Sequence, residues 1–256
     1  MFFERRGTLF LGKFSRLFRD PVIVHGFSTC KGGVSFSPYD SLNLGRNTDD
    51  EVVRVNKNWT QFCRAMSVLK ENVALPQQVH GDRIIQVSHS GKYPETDGLV
   101  TNVSRIALVV QVADCLPIYL YDPVREAIGL LHAGWKGTRL KIASKAVEQM
   151  ILFFETQPRD LWAFFGPSIG PCCYEVSADV IHQFSRKYIT EGRLDLWQCN
   201  LDQLVDTGVL PERVEMSRLC TVCHPEWFFS HRASGGTTGR MVAMLGLRKK
   251  ALDIEK

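Results

Sequence analysis

The chain has 256 residues, of which 45% are hydrophobic, and a formal net charge of +4 with acidic and basic residues interspersed along most of its length. This composition is typical of a globular protein with a sizeable core. It argues against an extended nucleic-acid-binding surface, which needs clustered basic residues. The most basic stretches lie near the N-terminus and at 248–250, where we expect solvated ends.

Membrane and secretory classes are also disfavoured. No apolar run approaches the roughly 18–20 residues of a membrane span, and residues 1–6 carry charges where a signal peptide has an apolar core. We therefore expect a cytoplasmic protein, in which the eight cysteines are thiols rather than a disulfide framework. Since no repeat, low-complexity segment or long linker marks a boundary, residues 1–256 are expected to form one domain.

Strand and helix signals alternate irregularly along the chain. Continuous or alternating apolar runs rich in β-branched residues predict strands, and apolar residues three and four positions apart predict helices. In chain order, the sequence predicts a strand at 22–27, a loop at 37–48, a helix from Asp49 or Asp50 to about Met66, strands at 83–87, 106–112, 116–121 and 127–131, a helix from 137 to about 154, a strand at 161–165, helices near 178–186 and 200–207, and a final strand near 240–245. This order favours an α/β fold with a central mixed β-sheet core flanked by helices.

Three short motifs each place one metal-binding side chain beside an apolar run. His80 precedes a glycine, Cys115 lies between two apolar runs, and His132 closes the strand predicted at 127–131. We expect Cys115 and His132 at the ends of neighbouring strands, where site residues gather. Two imidazoles and one thiolate can hold a zinc ion and leave its fourth position open for chemistry.

Spacing alone leaves other interpretations of these residues open. Taken singly, His80 is more often a surface histidine and Cys115 more often an inert buried thiol. Cys115 and His132 could instead form a thiolate–imidazole pair for nucleophilic catalysis. This pair is the main mechanistic rival to zinc, and it uses the same residues.

A second group of possible metal ligands lies near the C-terminus. Cys220-x-x-Cys223 has the spacing of half a zinc ribbon and is followed by His224, but no second Cys-x-x-Cys completes it. Further ligands could come from Cys172, Cys173 or Cys199. We expect buried or incidental thiols here rather than a structural zinc.

Several other residues are candidates for binding a substrate. Glycine-rich stretches at 166–171 and 234–240 could cradle an anion, with Arg232 or Arg240 adding charge, or could simply form turns. Asn43 could orient a substrate amide or hydroxyl, or cap its own loop. Arg46 is a further substrate-binding candidate. Asp114 could orient a ligand imidazole, or serve only in a turn.

Ordered motifs extend from about residue 25 to residue 247. They are His25-Gly26-Phe27-Ser28-Thr29, Tyr39-Asp40-Ser41-Leu42-Asn43-Leu44-Gly45, Gln78-Val79-His80-Gly81, Asp97-Gly98-Leu99-Val100-Thr101, Ala113-Asp114-Cys115-Leu116-Pro117, His132-Ala133-Gly134-Trp135-Lys136-Gly137, Gly166-Pro167-Ser168-Ile169-Gly170-Pro171-Cys172-Cys173-Tyr174-Glu175-Val176 and Phe228-Phe229-Ser230-His231-Arg232. Together they resemble the YfiH/YlmD-type family, also called the laccase-domain or multicopper polyphenol oxidase family.

The resemblance implies a zinc-dependent purine nucleoside phosphorylase with adenosine deaminase activity. It implies adenosine, inosine, guanosine and methylthioadenosine as substrates, with phosphate, and a YfiH-like α/β fold. It also implies that His80, Cys115 and His132 are the catalytic residues and the ligands of one zinc per chain. Seven histidines are too few for a multicopper enzyme, so copper is not expected.

Some positions depart from the pattern of that family. Cys30 and Lys136 stand where arginines are usual, His231 replaces a tyrosine, and Ala233-Ser234 replace an arginine and an acidic residue. Lysine keeps the charge of arginine but loses its bidentate fork, so phosphorolysis is expected to be affected. Two alternatives are a metal-free cysteine hydrolase acting on an amide bond, as in editing of a cell-wall precursor, and a nucleoside-binding module.

Overall fold

A computed structural model describes residues 1–248, so Lys249 and Lys250 of the basic C-terminal stretch lie outside the described residues. The strands in this part of the chain are β1 (Phe2–Arg6), β2 (Leu9–Lys13), β3 (Ile23–Ser28), β4 (Val73–Pro76), β5 (Ile84–Gln86), β6 (Gly91–Tyr93), β7 (Gly98–Thr101), β8 (Ala107–Val112), β9 (Leu116–Asp122), β10 (Ala127–Ala133), β11 (Trp162–Phe165), β12 (Ile189–Thr190), β13 (Arg193–Leu194), β14 (Val214–Met216) and β15 (Met241–Leu247). The α-helices are α1 (Ser15–Arg19), α2 (Val52–Ala65), α3 (Trp135–Arg139), α4 (Ile142–Phe154), α5 (Ala178–Ile181) and α6 (Leu196–Asp206). Within these residues, no helix is both long and apolar enough to span a bilayer.

The strands form two large mixed sheets and a small hairpin. The first sheet has the order β1-β2-β3-β15-β8-β4-β6, the second has the order β14-β11-β9-β10-β7-β5, and β12 pairs with β13. Strand β4 runs parallel to both β6 and β8, while β15 is antiparallel to its neighbours β3 and β8. The predicted α/β fold with a mixed β core is therefore confirmed, with the strands divided between two sheets.

The two sheets pack against each other and carry helices on their outer faces. Alternate residues of a strand point to opposite faces, and in β8 Leu108 and Val110 enter the core between the sheets while Val109 faces outward. Helix α2 covers that outer face with Trp59 and Phe62. Helix α4 covers the outer face of the second sheet in the same way. This four-layer arrangement leaves the strand ends free to carry a site.

The structure corrects three of the predicted helices. The helix predicted from 137 to about 154 is interrupted at Lys141, whose φ of +63° lies in the left-handed region, so α3 and α4 are separate helices. The helix predicted near 178–186 is limited to the four residues of α5. The helix predicted near 200–207 begins earlier, at Leu196, because the Asp195 carboxylate caps it by accepting from the Gln198 N–H.

Candidate metal centre

Strand pairing in the second sheet brings Cys115 and His132 together. Strands β9 and β10 are antiparallel, and their register places His132 opposite Pro117 and Ala133 opposite Leu116. The start of β9, which Cys115 immediately precedes, therefore meets the end of β10 at one sheet edge. His80 comes from the loop after β4, and its ring centroid lies 4.8 Å from that of His132. The ligand atoms of the three side chains all lie within 4.8 Å of one another.

A single buried carboxylate, that of Asp97, positions both histidines. Its Oδ1 lies 2.8 Å from Nδ1 of His132, which leaves Nε2 of that ring for a ligand. The same carboxylate accepts hydrogen bonds from the backbone N–H groups of Val79, His80 and Gly81 at 3.1, 3.0 and 2.8 Å. Burial raises the pKa of the Asp97 carboxyl, but the hydrogen bond and charge of His132 outweigh burial and hold it below its usual value.

The thiol and the buried imidazole favour an ion pair. Burial raises the pKa of the Cys115 thiol, but the charge of His132 and hydrogen bonds from both histidines lower it to about 6. Burial lowers the pKa of His132, whereas the Cys115 thiolate and the Asp97 carboxylate raise it to about 9. Cys115 is therefore a thiolate at neutral pH, which is the form that binds metals or acts as a nucleophile.

Two features of the backbone make room for these side chains. His80 and Asp114 adopt φ values of +60° and +87°, a region that costs a non-glycine residue on the order of 1 kcal/mol and is found at functional sites. Gly134 lies against the site, because a Cβ there would be 3.1 Å from Cys115 Sγ and 3.4 Å from His80 Cδ2. A side chain at position 134 would therefore crowd Cys115 and His80, and the glycine leaves room for both.

The trio faces a cleft of about 480 Å³. His132 is buried, Cys115 is half-buried and His80 is exposed, so the site is protected on one side and open on the other. Two imidazoles and one thiolate with one open side match the donor set and geometry of catalytic zinc. The chemistry of the donors thus fits a zinc ion held by His80, Cys115 and His132.

Of the candidate substrate-binding residues, Arg46 and Arg232 lie at the cleft, whereas Asn43 does not. Arg240 and Lys92 line the same cleft. Lys92 was not singled out from the sequence, since it lies in the short strand β6, which no apolar run predicts. The four cations give the cleft a local positive charge that the overall charge of +4 does not reveal.

Asn43 does not point into the cleft. Its side chain is fully buried, and its amide nitrogen donates to Thr48 and Asp50 while its oxygen accepts from the N–H groups of Gly45 and Arg240. All four hydrogen-bonding positions of the amide are used within the protein. The loop-capping interpretation therefore fits Asn43, which contacts the backbone of the cleft residue Arg240.

Asp114 does not orient a ligand imidazole, contrary to one prediction. Its Oδ1 accepts a hydrogen bond from the Thr221 hydroxyl at 2.6 Å, and its Oδ2 accepts one from the Arg232 N–H at 2.7 Å. The orienting carboxylate is Asp97, 35 residues before His132 in the sequence. Asp114 instead ties the C-terminal loop to the start of β9.

The positions that depart from the family pattern are dispersed. His231 lines the cleft, whereas Lys136 is exposed and lies over the Trp135 ring at 5.6 Å. Cys30 lies beside the Glu226 carbonyl, 3.8 Å away, outside the cleft lining. Of the glycine-rich stretches, 166–171 contributes Ile169 to the cleft wall, and 234–240 contributes Arg240.

A second convergence of ligand atoms occurs among the cysteines for which the sequence predicts buried or incidental thiols. The sulfurs of Cys172, Cys173, Cys220 and Cys223 all lie within 4.8 Å of one another. His224 takes no part in this group, since its ring lies 3.3 Å from the Glu226 carboxylate. Cys199 is buried in a separate apolar cluster with Leu194 and Leu196. We refer to the four converging residues as the cysteine cluster.

The chain is similar to a known family and to several known proteins over most of its length. Residues 24–248 match the family described as multi-copper polyphenol oxidoreductase laccase. Purine nucleoside phosphorylase YlmD of Bacillus subtilis is 33% identical over 250 residues, with 89% of each chain covered. A purine nucleoside phosphorylase of Deinococcus radiodurans is 36% identical over 236 residues, covering 89% of this chain and 90% of the relative. The crystal structure of the hypothetical protein YfiH of Bacillus licheniformis superposes with a TM-score of 0.88 at 34% identity, covering 96% of this chain and 99% of that one.

Proposed function

The chain belongs to the multi-copper polyphenol oxidoreductase laccase family, and on that premise we propose that it is a zinc-dependent purine nucleoside phosphorylase that also deaminates adenosine. The proposed nucleosides are adenosine, inosine, guanosine and methylthioadenosine. Phosphorolysis of inosine takes up phosphate and yields hypoxanthine and ribose 1-phosphate. Deamination of adenosine takes up water and yields inosine and ammonia.

One observation carries this proposal: the three-ligand site opens onto a cleft lined by four cations. An open zinc site is typical of catalysis rather than of structure. Relatives that match nearly the full length of this chain carry the name purine nucleoside phosphorylase. The donor set and the relatives therefore favour the same class of reaction, with one zinc held by His80, Cys115 and His132.

The residues of the site divide into metal-holding and substrate-holding groups. A zinc ion bound there would supply Lewis-acid chemistry to an oxygen of phosphate or water. Asp97 holds His132 in the tautomer that presents Nε2 to the metal and fixes the loop of His80. A carboxylate behind a ligand histidine both orients the ring and raises its basicity.

The cations of the cleft suit an anionic co-substrate. Phosphate carries up to two negative charges at neutral pH, and guanidinium groups bind its oxygens through paired hydrogen bonds. Arg46, Arg232 and Lys92 line the cleft and bring positive charge to it, and Arg240 lines the same cleft while its Nη1 donates to the Thr238 and Gly239 carbonyls. The rings of Trp135 and Tyr174 line the same cleft and offer apolar faces to a purine base.

A second candidate function rests on the same atoms. Asp97, His132 and Cys115 form a carboxylate–imidazole–thiolate series, with the pKa of the thiol lowered to about 6, as in cysteine hydrolases. Without a metal, this series would act on an amide bond through the sulfur. The two functions differ in their response to metal removal, because only the phosphorylase needs zinc.

Site variants test the proposal through both products and metal. We expect Cys115→Ser and His80→Gln to abolish release of hypoxanthine from inosine and of inosine from adenosine, measured by chromatography, and to reduce bound zinc. Cys30→Ser and His89→Gln are matched controls, since one changes a thiol outside the cleft lining and the other an exposed histidine. Unchanged product release in the site variants would refute the proposal. Activity on an amide substrate that resists chelation and is lost on alkylation would favour the hydrolase.

A further inference from the structure

We propose that Cys172, Cys173, Cys220 and Cys223 bind a second zinc ion, which has a structural role distinct from that of the metal at the His80 trio. The four residues come from two segments about 50 residues apart in the sequence. One segment follows β11 and the other follows β14. This inference goes beyond the proposed enzymatic function and does not depend on it.

The sulfur atoms lie close enough together to share one zinc ion. A zinc ion bound by four thiolates at about 2.3 Å places the sulfurs roughly 3.8 Å apart. Cys223 Sγ lies 3.6 Å from Cys172 Sγ and 3.4 Å from Cys173 Sγ, and none of the four sulfurs is more than 4.8 Å from another. A metal at their centre would therefore require shifts of only a few tenths of an ångström to about 1 Å.

Backbone groups also contact a sulfur of the cluster and join its two segments. The Gly170 N–H donates a hydrogen bond to Cys220 Sγ at 3.3 Å, an interaction that stabilises a thiolate. Ser168 pairs with Cys220 through a β-bridge: its backbone N–H donates to the Leu219 carbonyl, and its carbonyl accepts from the Thr221 N–H. The two cysteine-bearing turns are thus already joined by the backbone, which reduces the entropy lost on binding a metal.

Four sulfur ligands favour zinc over the other common cations. Thiolates are soft ligands that magnesium and calcium do not bind, and a tetrahedral set of four sulfurs is typical of zinc or iron. A site closed by four protein ligands leaves no position for a substrate, which is the hallmark of a structural rather than a catalytic zinc. Cys172 and Cys223 are exposed, so a metal could reach the cluster from solvent.

The cluster lies where the fold has the least regular structure. Residues 217–240 contain no helix or strand, and neither do residues 166–177, although irregular stretches longer than about 12–15 residues are uncommon. Both segments form walls of the cleft, since they contribute Ile169, Tyr174 and Arg232 to its lining. A metal shared by the two segments would hold that wall in place.

Counting metal ions on defined variants tests the proposal. We expect two zinc ions per chain in the protein purified under reducing conditions, and one per chain in the double variant C220S/C223S. The variant Cys115→Ser should also carry one, and Cys30→Ser should keep two. The difference of one zinc between the unmodified protein and C220S/C223S does not involve turnover and is expected whether or not the trio holds a metal, so failure of the phosphorylase proposal would leave this difference unaffected.

A second measurement uses the unmodified protein, so it does not depend on how the double variant folds. With metal bound, Cys223 should react slowly with iodoacetamide although it is exposed, and metal removal by a chelator should make it react faster, as followed by peptide mass spectrometry. Equal alkylation rates with and without metal would overturn the proposal. It would also be overturned by an unchanged zinc count in the double variant, by iron in place of zinc, or by a disulfide within the cluster.

Discussion

The two groups of converging side chains that could hold a metal ion are positioned in different ways. His132 lies in strand β10 and Cys115 directly precedes strand β9, so the pairing of the central strands fixes their separation. The cysteine cluster is carried by turns, and only a β-bridge and a few backbone hydrogen bonds join its two halves. The first group has three ligands and an open side, whereas the second has four thiols.

This difference predicts that the trio depends less on a bound metal for its geometry than the cysteine cluster does. A site built on strands keeps its geometry without a metal, and Asp97 fixes it further through four hydrogen bonds. A site built on turns gains order from the metal itself. Asp114 connects the two regions, because it accepts hydrogen bonds from Thr221 and Arg232 and immediately precedes Cys115.

Removing the charge of Asp97 should have the largest effect on the strand-borne site. We expect Asp97→Asn to weaken zinc binding at the trio by roughly 10–100-fold, the usual cost of losing a partner behind a ligand histidine. Competition with a chromogenic chelator measures this affinity. Asp122→Asn is the matched control. Asp122 is equally buried and accepts hydrogen bonds from two backbone N–H groups, but it lies at the opposite end of β9 from the site. Equal losses of zinc affinity in the two variants would refute the role given to Asp97.

Adding a side-chain carbon beside the trio should have the next largest effect on zinc affinity. In Gly134→Ala, the added Cβ would lie 3.1 Å from Cys115 Sγ, so the ligands must shift. Overpacking typically costs about 1–3 kcal/mol, and we expect zinc affinity to fall by about tenfold. In Gly81→Ala, the nearest atoms would be 3.5 Å away, so this neighbour of His80 should tolerate the change. A wild-type affinity in Gly134→Ala would show that the site is looser than described.

Thiol reactivity in the metal-free protein should distinguish the two regions by pH. Cys115 and Cys173 are both half-buried, but the pKa of Cys115 is lowered to about 6, while burial and the hydrogen bond with Cys223 raise that of Cys173 to about 11. A thiol reacts as the thiolate, which exists above its pKa. Alkylation of Cys115 should therefore rise through about pH 6 and level off, whereas that of Cys173 should still increase above pH 9.

The expected difference in rate follows from two opposing effects. Cys115 is largely ionised at pH 7.5 and Cys173 is not, but a thiolate of low pKa is intrinsically less nucleophilic. We expect Cys115 to react roughly tenfold faster at that pH, as measured by mass spectrometry of the alkylated peptides. Parallel pH profiles for the two residues would contradict the assigned ion pair between Cys115 and His132.

Loss of the cluster metal should have the smallest effect on catalysis, provided that both proposals hold. The double variant C220S/C223S should raise KM for phosphate by about fivefold, the equivalent of one hydrogen bond of about 1 kcal/mol, because Arg232 loses support. The kcat should change little, since strand pairing holds Cys115 and His132 and Asp97 holds the loop of His80. A fall in kcat with an unchanged KM would show instead that the cluster acts on the reacting atoms.

The sequence predicted the elements whose hydrophobic pattern is local. The continuous apolar runs of β8, β9 and β10 and the helical spacing of Trp59 and Phe62 in α2 were sufficient for these elements. The division into two sheets was not predicted, because strand pairing between distant segments such as β3 and β15 leaves no local pattern. The break at Lys141 was missed for a similar reason, since a left-handed residue is not encoded by hydrophobic spacing.

The sequence predicts the candidate site only in part, because contacts between distant segments leave no local pattern. His80, Cys115 and His132 were identified by ligand type and by their position beside apolar runs. Asp97 was not given a role, because its partners are mainly backbone N–H groups, which every residue has. The spacing of Cys220-x-x-Cys223 does not predict the cysteine cluster, because Cys172 and Cys223 meet only through the pairing of their loops.

Titration of the metal-free protein with zinc tests the central claim most directly. Release of hypoxanthine from inosine in the presence of phosphate should be absent without metal and should reach its full rate as zinc fills the site of His80, Cys115 and His132. The Cys115→Ser variant should remain inactive at every zinc concentration. Full phosphorolysis by the metal-free protein would contradict the assignment of this trio as a catalytic zinc site.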